Sequence, residues 1–455
     1  MMYLKFLLGV ATIGSLGCCL FFIWAHKLKD FPSLKLSEKL VISFGLGGVG
    51  VGVEMFLMAL LNIKFSPSNI LLFQMPLYLF LVRCILTKKT KLFCGSVGAS
   101  RQKINLLGII FALLIFFNIF HVLIDALAMP FVSWDSWCNY GHKAKIFYHT
   151  KKIDPTLFTT SHIPFPHPDY PPAVPLIEAY IYLFLGTIHE PLAKLWLSFY
   201  YPLLILVFYV VLRRCYSSNL ALRFAFILSA IPKILKDASM GGIDVVMTFY
   251  VTTGILYLWS YMKDKKDIYL FISSIFLGLG MWIKNEALSM YLIVIVSGFF
   301  VWLISPEVKN SFKKRELKII TIIPMVIILP WLFFRHHYGV IPDYFKGNIS
   351  DMPYIIASRM SDVLVLLFFE PLQLLNWNIL WYLFVAYTVL HFCYFKEKSS
   401  TFFIFIIFFQ FLSYFFVYSI WPVPNEELLF QIMYSKDRLL IVLAPIALFF
   451  ITQRM

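Results

Sequence analysis

Apolar runs close to twenty residues long recur from one end of the chain to the other, and they limit the fold more than any other feature. Thirteen are read: Leu4–Trp24, Leu40–Leu61, Ile70–Leu86, Ile104–Met129, Leu192–Leu212, Leu220–Ile231, Val245–Met262, Ile268–Ile283, Ala287–Ile304, Ile319–Phe334, Asn376–Phe395, Thr401–Trp421 and Leu439–Ile451. About twenty consecutive apolar residues let an α-helix cross the hydrocarbon of a bilayer. A backbone in lipid must satisfy its own hydrogen bonds, which leaves helices or a closed barrel. Barrel strands alternate in segments of about ten residues, whereas these runs are continuous. The expected fold is an all-α polytopic membrane protein with about 13 transmembrane helices. Composition agrees: the chain is 60% hydrophobic and 14% charged, against roughly 25% charged for a soluble domain.

The net charge of +15 raises the question of nucleic acid. Most of the basic residues lie in short loops between apolar runs, where they orient a membrane protein. No soluble segment carries a basic stripe with interleaved stacking aromatics, so no nucleic-acid partner is expected. The seven cysteines are scattered, with no CxxC spacing that would mark a metal site. If Ala173–Ile188 lies at or dips into the membrane surface without crossing, the basic loops after runs one, three, five, seven, nine and eleven fall on one side, the cytoplasmic one. Every larger polar segment then faces the other side.

The longest of these is Phe131–Pro175, FVSWDSWCNYGHKAKIFYHTKKIDPTLFTTSHIPFPHPDYPPAVP. Two further polar segments are read at Arg335–Asp362 and Pro422–Asp437. The glycines of Leu40–Leu61 suit close helix packing, and Glu54 is assigned to packing with them.

Five motifs in order carry a family resemblance: WDSW at Trp134–Trp137 with HKAKIFY at His142–Tyr148, HPDYPPAVPLIEAY at His167–Tyr180, GGIDVVMTFY at Gly241–Tyr250, MWIKNEAL at Met281–Leu288 and KDRLL at Lys436–Leu440. Together they resemble bacterial membrane glycosyltransferases of the GT-C type, in particular relatives of the dolichyl-phosphate-mannose protein mannosyltransferases (glycosyltransferase family 39). The resemblance covers 104–455, a GT-C-like catalytic membrane domain whose extracytoplasmic loop, 130–190, carries juxtamembrane helices. Residues 1–103, a three-helix membrane segment, carry none of the motifs. The resemblance implies transfer of a sugar from a polyprenyl-phosphate donor to a hydroxyl of a glycan, lipid or protein acceptor. It implies a bacterial inner (plasma) membrane protein with its site facing the periplasm or exterior.

Such a reaction needs a carboxylate to take the acceptor proton and cations to hold an anionic phosphate. Asp135 matches the family's acidic position in the first loop and is the expected base. Many relatives carry two adjacent acids there; this chain has Ser136 beside Asp135. Lys143, Lys145, Lys284 and Arg438 are the expected phosphate-binding cations, with Arg335, beside His336 and His337, an alternative to Arg438. His167, Asp169, Tyr170, Asn285 and Glu286 are the expected substrate-binding residues. Charges such as Lys284 and Glu286 between apolar runs must reach water or pair. His142, His149, His162 and His167 with Asp135 and Asp169 lack tight metal-ligand spacing, so no metal or other cofactor is expected. A transporter or flippase of lipid-linked sugars and a glycan polymerase or ligase are the alternatives. Internal repeats would favour a transporter, and no convincing repeat is found.

Overall fold

The computed structural model describes residues 1–88, 104–159, 167–340, 352–394, 400–421 and 425–453, and among these no strand occurs. The helices are α1 Met2–Ala25, α2 Leu36–Leu60, α3 Pro67–Lys88, α4 Leu106–Ala128, α5 His142–Thr150, α6 Ala173–Leu185 and α7 Glu190–Ser198. They continue with α8 Tyr200–Leu212, α9 Ser218–Ser229, α10 Pro232–Ser239, α11 Ile243–Asp264, α12 Asp267–Gly280, α13 Asn285–Ile304 and α14 Pro306–Ser311. The last are α15 Lys314–Tyr338, α16 Met352–Phe369, α17 Leu374–Trp377, α18 Leu380–Tyr394, α19 Thr401–Ser419, α20 Asn425–Leu439 and α21 Ala444–Thr452.

Among the described residues nine helices are long and apolar enough to cross a membrane: α1, α2, α4, α7 with α8, α11, α13, α15, α16 and α19. A tenth is reached if α9 and α10, bent by 65°, count as one. The thirteen expected runs therefore do not all become full-length crossings. Ile70–Leu86 falls within α3, and four others become the short helices α9, α12, α18 and α21. The 14 residues of α12 reach only about 21 Å at 1.5 Å per residue, short of the roughly 30 Å of hydrocarbon. The loop 89–103, with Lys89, Lys91, Arg101, Lys103 and the boundary drawn at 103, lies outside the described residues.

Glycine sets how α1 and α2 cross. A Cβ on Gly17 would stand 1.7 Å from the Ser43 carbonyl oxygen, and one on Gly47 2.0 Å from that of Ile13. The two backbones touch, which only small residues allow. The pair does not stand apart from the rest of the bundle. The Tyr250 hydroxyl donates to the Gly45 carbonyl at 2.5 Å, and Tyr180 donates to that of Gly9 at 2.9 Å.

These contacts also fix the course of α6. Ile13 and Gly47 lie at the same depth. Gly9 on α1 and Gly52 on α2 lie one turn further toward the same end. Phe184, near the C-terminus of α6, packs on Gly9, and Ala173, at its N-terminus, packs on Gly52. Both ends of α6 thus sit at one depth, so the helix runs across the bundle and does not pass through it.

The reading of Arg335–Asp362 as one polar segment is revised. Helix α15 continues to Tyr338 and α16 begins at Met352; 341–351 lie outside the described residues. Helix α16 is among those long and apolar enough to cross, and it packs along α19, with Phe368 stacked on Phe411. Arg359 donates to the carbonyls of Ser419, at 3.4 Å, and Trp421, at 2.7 Å. Glu370, just beyond its last turn, pairs with Lys436 of α20 at 3.3 Å.

The bundle therefore has two chemically distinct ends. At one, Glu38 pairs with Arg214 behind α8, Tyr257 donates to Glu38 at 3.2 Å, and Arg315 pairs with Asp267 at 2.6 Å. Arg213, Lys263, Lys265, Lys266, Lys313, Lys314 and Lys318, in the helix ends and connections, lie at this end. The other end gathers Asp135, Asp169, Asp244, Lys284 and Arg438.

Candidate active site

Asp135 is delivered by the connection after α4. Residues Asp135–Gly141 form a π-helix that leads directly into α5. This wide helix is rare and concentrates at functional sites. Its start is clamped from α7: Glu190 accepts from the Phe131 N–H at 3.2 Å, and Lys194 donates to the Pro130 carbonyl at 3.3 Å. Ser136, next to Asp135, is buried and donates to the Gly241 carbonyl at 3.4 Å. Its role here is to hold the loop.

Asp135 meets a cation from the far end of the chain. Arg438 Nη1 donates to Asp135 Oδ2 at 2.5 Å. Burial disfavours the guanidinium charge, but Asp244, Asp135 and Asp237 outweigh it and raise the pKa of Arg438 further above its ordinary value. Lys284, only 4% exposed, stands in the turn between α12 and α13. Its ammonium donates to Asp244 Oδ1 at 2.9 Å and pairs with Glu286 at 3.3 Å. Burial again opposes the charge, and Asp244 and Glu286 overcome it, holding Lys284 well above its ordinary pKa.

Asp244 was not among the expected site residues. It opens α11, where a carboxylate complements the helix N-terminus. Asp237 covers the same terminus, accepting from the Val245 N–H at 3.2 Å. Gly242 makes room for it: a Cβ there would stand 2.1 Å from the Asp237 carboxylate.

The expected substrate residues assemble beside this charged group. Asn285 donates to Asp169 Oδ2 at 2.6 Å, with Arg335 3.9 Å from the same oxygen. Tyr170 donates to Glu286 at 3.4 Å and stacks on His167 at 4.8 Å between ring centres. Trp134 packs edge-on against His167. Two expected phosphate contacts fall elsewhere. Lys143 is buried and donates to the His167 carbonyl at 2.9 Å. Lys145 pairs with Glu190 at 2.5 Å. Neither is among the described residues that line the cavity. On α5 the two lysines point to the loop and to α7, so they brace the wall from behind. His162 lies outside the described residues. No group of three or more His, Cys, Asp or Glu side chains is placed to hold a metal among the described residues.

Asp135, His167, Tyr170, Asp244, Lys284, Asn285, Glu286 and Arg438 line one cavity of about 740 Å³. Its remaining wall comes from α19 and α20, including Gln410, Ser413, Tyr414 and Tyr418. The sequence reading took α19 as a plain apolar span. The polar stripe at 410, 413/414 and 418, in helical register, is the signal that marks its inner face. Three carboxylates (Asp135, Asp244, Glu286) and two cations (Lys284, Arg438) share this space.

Residues 169–334 match the family model of dolichyl-phosphate-mannose-protein mannosyltransferase. No curated protein and no solved structure matches the chain. The chain therefore carries a glycosyltransferase-family segment within a multi-helix membrane protein. The matched stretch, less than half of the chain, contains Asp169, Tyr170, Asp244, Lys284, Asn285 and Glu286. Asp135 and Arg438 lie outside it and join these residues through the fold.

Proposed function

We propose that this protein transfers a sugar from a polyprenyl-phosphate carrier to the hydroxyl of a glycan, lipid or protein acceptor. The observation that carries the reading is one cavity, at one end of a membrane bundle, that brings a carboxylate, Asp135, together with two cations, Arg438 and Lys284. Asp135 takes the proton of the acceptor hydroxyl as it attacks the anomeric carbon. Arg438 and Lys284 hold the phosphate that leaves. Asn285 and Tyr170 line the place of the sugar, and Asp169 holds Asn285 from behind. A lipid carrier accounts for a transferase built of membrane helices. The basic loops at the opposite end support a site on the extracytoplasmic face of a bacterial plasma membrane. The proposed chemistry uses no metal: proton transfer and charge stabilisation come from side chains.

The test is incubation of the purified protein in lipid nanodiscs with radiolabelled polyprenyl-phosphate sugars and an envelope extract. Label should move to acceptor, persist in chelator, and fall by about 10²–10⁴-fold in Asp135→Asn, the usual worth of a general base. Absence of transfer from every lipid-phosphate sugar overturns the proposal.

A further inference from the structure

Resting on the lipid-phosphate donor proposed above, we propose that Arg438 holds the base and the leaving phosphate at once, so that one guanidinium follows the negative charge as it passes between them. The starting observation is that the base is not alone. Arg438 Nη1 bonds Asp135 at 2.5 Å. A guanidinium has five N–H donors in a planar fork. Among the described residues the guanidinium of Arg438 meets one hydrogen-bond acceptor, Asp135, and the side chain, 24% exposed, lines the cavity. The fork therefore retains donor capacity while one arm stays on Asp135.

The charges of the reaction make such sharing useful. The donor is a phosphodiester with one negative charge, and Asp135 carries another. The acceptor oxygen forms its bond to the anomeric carbon, and its proton passes to Asp135. The bond from the anomeric carbon to the phosphate oxygen breaks, and its electron pair stays on that oxygen. The products are a neutral carboxylic acid and a lipid phosphate with two negative charges. The total is unchanged, but one charge has moved from Asp135 to the phosphate. A cation in contact with both serves both ends of that movement.

The arrangement has a consequence that a separate base and phosphate site would lack. The ionised Asp135 carboxylate shares the positive charge of Arg438 with the phosphate, so removing its charge should strengthen product binding even as it abolishes transfer. Binding of radiolabelled polyprenyl phosphate to the full-length protein in nanodiscs reads this directly. Asp135→Asn and Asp135→Ala, both checked for monodisperse elution, should bind at least about five-fold more tightly than wild type, within the usual range of coupling between sites. The gain should vanish when Arg438→Gln is added to either. Arg438→Lys keeps the charge but not the fork, so its transfer rate should fall nearly as far as that of Arg438→Gln. Unchanged or weaker binding by both Asp135 variants overturns the inference, as does a gain that survives without Arg438. If wild type transfers sugar while either result is found, the inference fails and the proposed function stands. If wild type neither transfers sugar nor binds polyprenyl phosphate, both fall.

Discussion

Asp135 and Arg438 stand 303 residues apart in the chain and 2.5 Å apart in the fold. Their meeting depends on a π-helix that begins at Asp135 and on α20, which carries Arg438 and packs on α19 through Tyr414 and Tyr418. Around this pair every other charge of the cavity also finds a partner. The predictions below separate residues that face the cavity from those that build it.

Lys284 should be needed for folding as well as for phosphate. Removing one member of a buried ion pair typically costs about 3–5 kcal/mol, because the other charge is left uncompensated. Lys284→Met is expected to lower the thermal unfolding midpoint in detergent markedly. Adding Asp244→Asn should restore much of that loss. A double variant no more stable than Lys284→Met would show that the Asp244 contact is not the cause.

The pH range of that contribution has a defined sign. The folded-state pKa of Lys284 lies above its ordinary 10.5 because its two carboxylate partners outweigh burial. Its stabilising effect is therefore complete below about pH 10.5 and is lost only as pH rises through the higher folded value. The difference in unfolding midpoint between wild type and Lys284→Met should stay constant from pH 7 to pH 10. A difference that shrinks across this interval would contradict the assignment.

Lys145 should be dispensable for the donor. Its partner is Glu190, and with 31% of its side chain exposed the pair is worth at most about 1 kcal/mol. Lys145→Gln should change the donor KM by less than about five-fold, whereas Arg438→Gln should raise it by more than ten-fold, in keeping with loss of a charge-assisted contact. Steady-state kinetics with a lipid-phosphate sugar decides, and equal effects would return Lys145 to the phosphate site.

Gly17 tests the packing that fixes α6. Its Cβ position lies 1.7 Å from a backbone oxygen of α2, which cannot rotate away. Gly17→Ala should destabilise the protein by about 1–3 kcal/mol, the range for overpacked cores. Gly298→Ala, where nothing lies within 4 Å of the added Cβ, should leave the unfolding midpoint unchanged.

The class of the fold is legible in the amino-acid sequence alone. Long continuous apolar runs admit only membrane helices, and the basic loops sort to one end. The sequence also marked Asp135, Lys284, Asn285, Glu286, Asp169, Tyr170, His167 and Arg438, through motifs that carry the family resemblance and through polar residues that stand out against so apolar a background. What it did not carry was partnership. Lys143, Lys145, Lys284 and Arg438 are all cations in one dimension, yet Lys145 pairs with Glu190 and Lys143 donates to a carbonyl, while Lys284 and Arg438 reach the cavity. Asp244 had no distinguishing signal, since an acid at a helix start is common. Which helices cross was only partly legible too: the loop charges led α6 to be read as staying at the surface, and its contacts with Gly9 and Gly52 put both of its ends at one depth, whereas α16 lay partly inside the stretch read as polar, 335–362. The physical reason is the same throughout. Hydrophobicity and helix period are local properties and survive in sequence, whereas the neutralisation of a charge depends on which distant helix end is packed beside it.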